Sequence, residues 1–175
     1  MKYCLASLVM ALALCTAGVE IDINGKFERG MDGWISVPKG SVTEIKTEEK
    51  DRFLLQLDTT GKEKKRILVY SRMYNAGSTG EKLTLEATAS GTGAGFVGVV
   101  CFDQGGNQAN ILYRYFYPKA EMKNYSFQVI LPESRLKDRK GNIRNISKIR
   151  IMFGAQPGSR VVFSEINAAP VEKSK

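Results

Sequence analysis

The chain has 175 residues, 43% hydrophobic and 25% charged, which is room for one domain with a sizeable core and hardly for two. That balance excludes long disorder, and no segment past the N-terminus carries the apolar run that a membrane helix requires. The formal charge is +8 and there is no histidine, so a Ser-His-Asp triad, a Cys-His pair and a histidine metal site are all excluded.

Residues 1–17 read as a signal peptide. Lys2 is a positive start, residues 5–14 an apolar stretch, and Cys15-Thr16-Ala17 a small-residue cleavage site. Cleavage after Ala17 is expected, with export to the periplasm, the cell surface or the medium. The alternative is a lipoprotein carrying its lipid on Cys15, against which Leu14 stands where a small residue is usual. Losing Lys2 takes the charge from +8 to +7. For an exported protein that charge favours an anionic polysaccharide or surface over nucleic acid, or serves solubility alone. Cys4 and Cys15 leave with the signal, so Cys101 stays alone, with no disulfide to make and no histidine to activate it. A small buried hydrophobe is the expected role. A monomer with no membrane span is expected.

In chain order, Asn24-Gly25 and Asp32-Gly33 are turns, because glycine takes positive φ without steric cost. Phe27 and Trp34, the only tryptophan, are apolar anchors for the loop between them, and Glu28 brings a charge that needs a partner. Residues 41–46 form an edge strand, and 48–51 a charged turn. Residues 52–58 alternate cleanly, with Phe53, Leu55 and Leu57 on one face. The basic run at 62–66 is a solvated hairpin end or a grip for an acidic ligand. Residues 66–74 read as one strand, with Ile67, Val69 and Met73 on one face and Arg66, Leu68, Tyr70, Arg72 and Tyr74 on the other.

Residues 82–90 alternate again, pointing Leu83, Leu85, Ala87 and Ala89 one way. Residues 91–95 hold three glycines but lack the lysine and Ser/Thr of a phosphate loop, so a flexible hairpin is expected. Residues 96–103 are apolar up to their last residue, Asp103, a central strand buried on both faces or nearly so. A turn at 103–107 returns the chain through 109–117, where Tyr113, Tyr115 and Tyr117 share one face and Leu112, Arg114 and Phe116 the other. Tyr125, Phe127, Val129 and Leu131 line up next. The segment 133–145 is polar, with one helical turn expected around 134–137. Strands at 148–153 and 160–168 finish the domain, and a frayed tail follows from Ala169. Asn124 and Asn145 stand in glycosylation sequons. About nine strands at regular spacing point to an all-β fold, an antiparallel sandwich in a single domain over 18–168.

The run Asn24-Gly25-Lys26-Phe27-Glu28-Arg29-Gly30-Met31-Asp32-Gly33-Trp34 resembles the opening of jelly-roll carbohydrate-binding modules of the 4/9 type, with the galactose-binding-like fold. Three further stretches are similar to those modules: Val99 to Gly106, ending in an Asp-x-x-Gly turn; Met122 to Val129, closed by Pro132; and Arg160 to Ile166. The resemblance implies a jelly roll that binds a glycan without catalysis. It also implies a structural calcium held by the Glu of the opening Phe-Glu and by the final strand, here Glu28 and Glu165. A pair of aspartates is usual in that strand, and Ser164-Glu165 replaces it. The alternative is that Glu28 pairs with a lysine or arginine.

Sugar binding needs rings for pyranose faces and planar amides or guanidinium groups for hydroxyls. The polar faces of the strands offer Gln56, Tyr70, Arg72, Tyr74, Gln128 and Arg150, with Tyr113, Tyr115 and Tyr117, as the lining of a groove on a concave sheet. The alternative for each tyrosine is core or cross-strand packing. Trp34 belongs to the core. The acids placed within strands, Asp58, Glu86, Asp103 and Glu165, have no spacing that singles out a catalytic pair, so an enzyme is not expected. The alternative function is a structural or protein-interaction sandwich at the cell surface or envelope.

Overall fold

The computed structural model describes residues 21, 23–48, 52–61, 65–76, 82–131, 135–137 and 143–171. Among the described residues, twelve strands run in order: β1 (Trp34–Val37), β2 (Val42–Lys46), β3 (Phe53–Asp58), β4 (Ile67–Ser71), β5 (Tyr74–Asn75), β6 (Lys82–Thr92), β7 (Gly95–Asp103), β8 (Gln108–Phe116), β9 (Lys123–Ile130), β10 (Arg135–Lys137), β11 (Ile143–Ala155) and β12 (Arg160–Pro170). They form two antiparallel sheets, a jelly-roll sandwich. The first sheet has the order β1-β4-β11-β7-β8, with β5 and β10 also paired to β11; the second has the order β2-β3-β12-β6-β9. Strands joined in sequence thus take matching places in opposite sheets: β1 with β2, β4 with β3, β11 with β12, β7 with β6, β8 with β9.

The period-two pattern builds the core. Leu55 and Leu57, Leu83 to Ala89 at every second position, Val97 and Val99, Ile149 to Ala155 at every second position, and Val161 and Phe163 all meet between the sheets. A bulge at Ser164 interrupts β12, and after it Ile166 and Ala168 take over the inward positions while Glu165 faces out. Cys101 is buried in this core, as its strand implied.

The opening loop closes one end of the sandwich. Phe27 is wholly buried, and its ring meets Trp34 at 6.1 Å and Phe153 at 5.9 Å between centroids. Asn24, at φ 48°, holds the loop in shape by donating from Nδ2 to the carbonyls of Gly30 and Asp32. The loop also joins both sheets. Gly25 O accepts from Ile166 N, Phe27 O from Phe53 N, and Gly33 O from Arg72 N.

Four local readings are corrected. The glycine run at 91–95 is no hairpin, because β6 and β7 lie in different sheets and the run arches between them. Gly91 and Gly93 sit at φ 135° and 82°, and a Cβ on Gly91 would strike the Arg160 carbonyl. Residues 135–137 are a strand, β10, rather than a helical turn, because they pair with Arg144 and its neighbours on β11. The strand read over 66–74 breaks after Ser71, and the chain restarts as β5. Finally, β12 takes in Ala169 and Pro170, which pair with Thr84 and Leu83, so they are not part of a frayed tail. Most of the charged turn at 48–51 and of the basic run at 62–66 lies outside the described residues.

Candidate functional site

The outward face of the first sheet gathers apolar and aromatic side chains that the core does not use. Register fixes who stands beside whom: Tyr115 opposite Phe96, Tyr113 opposite Gly98, Ile111 opposite Val100. Across β7 lie Gly154, Met152 and Arg150, and beyond them Leu68 and Tyr70. Phe96, Val100 and Met152 point away from the other sheet yet are nearly fully buried, packed with Leu68, Tyr70 and Phe102 into a second apolar cluster. An outward face ordinarily alternates to polar residues. This one does not.

The glycines shape it. A Cβ on Gly98 would run into Leu112 O and the Cβ of Tyr113, and a Cβ on Gly154 into Ile67 O and the Phe96 ring. Rings therefore lean into the room that the two glycines leave. Tyr113 and Tyr115 are T-shaped at 5.1 Å, each 6.2 Å from Phe96. They remain 37% and 42% exposed, so ring surface is offered to solvent.

One end of the face is held by hydrogen bonds. Gln156 N donates to Ala94 O at 2.9 Å, and its carbonyl accepts from the Thr59 hydroxyl. The fixed side chain then donates from Nε2 to the Tyr115 hydroxyl at 3.0 Å and accepts from Arg66 Nη2 at 3.2 Å. Arg66 also lies over Phe96, 5.7 Å from the centroid. The hydrogen bond between Tyr113 and Tyr115, then burial, pushes the Tyr115 phenol above its ordinary value. Burial raises Tyr70 likewise, against the pull of Arg150 and Arg66. Both phenols are therefore neutral near pH 7 and can donate hydrogen bonds.

Of the nine residues expected to bind a ligand, four meet here: Tyr70, Tyr113, Tyr115 and Arg150. Gln56 and Gln128 face out from the second sheet, on the opposite side of the molecule, because β3 and β9 belong to that sheet. Tyr74 is also excluded. The break after Ser71 reverses its parity, so it pairs with Ile149 and packs against the core. Arg72 follows it, with its guanidinium 5.4 Å from the Tyr74 ring, and both line a small cavity of about 140 Å³ by the opening loop. Tyr117 lies past the end of β8 and is 74% exposed; its carbonyl accepts from the Tyr125 hydroxyl.

Sequence reasoning missed Phe96, Phe102, Met152, Gln156 and the two glycines. The apolar run at 96–103 read as buried on both sides, and the nature of its second covering was not legible. A glycine inside each of two otherwise apolar strand runs, Gly98 and Gly154, was the available signal.

Glu28 and Glu165, distant in sequence, line one cavity of about 370 Å³ with Asn24, Lys26 and Asn167. No ion pair of Glu28 occurs among the described residues, where its pairing with a lysine or arginine was the alternative. The pair fits a calcium site in placing two carboxylates from separate elements on one cavity beside an amide. Lys26 on the same wall opposes the ion, and the described residues hold no cluster of three or more acidic or thiol groups. Loop carbonyls would have to complete the shell.

No protein-family model matches the chain, and no curated protein matches it either. Solved structures do. The family 16 carbohydrate-binding module-2 is 14% identical at a TM-score of 0.52, over 86% of this chain and 98% of that one. The family 11 carbohydrate-binding module of a cellulosomal cellulase from Clostridium thermocellum is 13% identical at 0.52, over 87% and 95%. This chain shares the β-sandwich fold of these two modules. The same fold appears within the enzymatically active domain of tailspike protein 4 of bacteriophage CBA120, at 14% identity and a TM-score of 0.56, over 85% of this chain. There the chain spans only 21% of the matched length, so the tailspike's activity says nothing direct about this sandwich. At such identities the likeness carries the fold.

Proposed function

We propose that the protein is an exported, non-catalytic glycan-binding module that lays a polysaccharide across the outward face of its first sheet. One observation carries this reading. Tyr113 and Tyr115 form an exposed ring pair backed by the buried Phe96, beside Gly98 and Gly154, with the Gln156 amide and Arg66 fixed at its end. Pyranose rings stack on such a surface while amide and guanidinium groups take hydroxyls. The fold shared with solved carbohydrate-binding modules supports the reading, and the 4/9-type assignment from the opening motif belongs to it.

Affinity electrophoresis in gels containing β-glucan, xylan, galactan, polygalacturonate or alginate tests it. Retardation is expected in at least one gel. Tyr113→Ala and Tyr115→Ala should each weaken it by about tenfold, or about 1.4 kcal/mol. Folded protein that migrates freely in every gel removes the reading and leaves a structural or protein-interaction sandwich.

A calcium ion between Glu28 and Glu165 is part of the same proposal. Millimolar calcium should raise Tm, EDTA should reverse the rise, and Glu28→Gln or Glu165→Gln should abolish it. A Tm indifferent to calcium removes the ion.

A further inference from the structure

Arg150 stands in the middle of the outward face, opposite Val100. Its guanidinium lies 5.8 Å from the Phe102 centroid, and its buried Nε has no hydrogen-bond partner. A buried donor left without an acceptor costs free energy, which marks Arg150 as a side chain that packing alone does not account for. Cations elsewhere are differently placed: Arg160, on the other sheet, is paired with Asp58 at 2.7 Å. Lys148 and Arg66 share the face with Arg150. Among the described residues, no strand position that points outward from this sheet is acidic. The face is aromatic and positive, with the Arg150 guanidinium at its middle.

We propose that this face selects an acidic glycan, a uronic-acid polysaccharide whose carboxylate is bound by Arg150. The inference rests on the glycan-binding reading of the same surface and names its ligand class. An arginine fork matches a carboxylate in two parallel charge-assisted hydrogen bonds. Geometry favours the carboxylate over a sulfate ester. A uronate carboxyl is bonded directly to the sugar ring and stays within the layer of a pyranose stacked on Tyr113, whereas a sulfate is tetrahedral and stands off on an extra oxygen.

The test is affinity electrophoresis of the full chain in polygalacturonate, alginate, neutral galactan, β-glucan and dextran sulfate, at low and at physiological salt. Stronger retardation by a uronate than by any neutral gel, persisting at physiological salt, is expected. Arg150→Gln should weaken the uronate interaction by about tenfold or more, since it removes a charge-assisted pair. Lys82→Gln, the same charge change on the other sheet, should leave it unaltered. Melting curves establish that both variants are folded. Equal binding to a neutral glycan, insensitive to Arg150→Gln, overturns the inference and leaves the glycan-binding reading intact. Equal loss with Lys82→Gln, or dextran sulfate binding as well as uronate does, shows ion exchange by a basic chain and also overturns it. No binding to any gel removes both.

Discussion

Cys101 and Tyr113 illustrate what period-two alternation tells about a residue and what it leaves open. Cys101 was placed inside by its apolar neighbours, and it is inside, with burial pushing the thiol up to about 11. The thiolate is the reactive form, so iodoacetamide at pH 8 should label folded protein far more slowly than protein in guanidinium, as mass spectrometry would show. The same shift has a stability consequence. The folded pKa lies above the ordinary value of 9.0, so the thiol's contribution is whole below pH 9 and is lost as the pH rises towards 11. Denaturant midpoints across that range should fall in wild type more than in Cys101→Ala. The shared face of Tyr113 and Tyr115 was equally legible. Gln56 and Gln128 were assigned to the same surface because alternation sorts residues within a strand; it does not say which sheet the strand joins.

Sheet membership is decided by the connections between elements, and there the sequence was least readable. Gly91 and Gly93 looked like a hairpin because glycine-rich turns commonly join paired strands. Here they serve an arch whose tight approach to Arg160 and Ser159 appears only once β12 is in place. The interruption at Arg72 and Met73 was similarly hidden in a continuous run, and it moved Tyr74 from ligand face to core. Gly98 makes the pairing of β7 with β8 experimentally accessible. A methyl group there meets the backbone of Leu112 and Tyr113, so β8 must shift. Gly98→Ala should cost roughly 1–3 kcal/mol. It should also weaken glycan retardation, because the strand that moves carries both tyrosines. Unchanged Tm and unchanged binding would show that β8 yields freely and that the ring platform does not depend on this close approach.

For the molecule as a whole, the opening loop was the most legible part. Its turns, its aromatic anchors and the core role of Trp34 all follow from residues 24–34, and the structure adds that the loop bonds to β3, to β12 and to Arg72 beside β4. Trp34 meets Phe153 at 5.1 Å, so the pin crosses from the loop to the centre of the first sheet. Trp34→Ala should lower the free energy of unfolding by roughly 3–5 kcal/mol, measured by guanidinium titration followed by circular dichroism. A loss well below that range would mean that the loop holds through its hydrogen bonds alone.

Because most connections cross from one sheet to the other, neither sheet is a contiguous length of chain that can peel away while its partner survives. Each crossing connection acts as a rivet between the two layers. Pulling the chain from its ends should therefore give one large rupture rather than a staircase. The surface proposed to hold the glycan should keep its shape until the moment the whole body lets go.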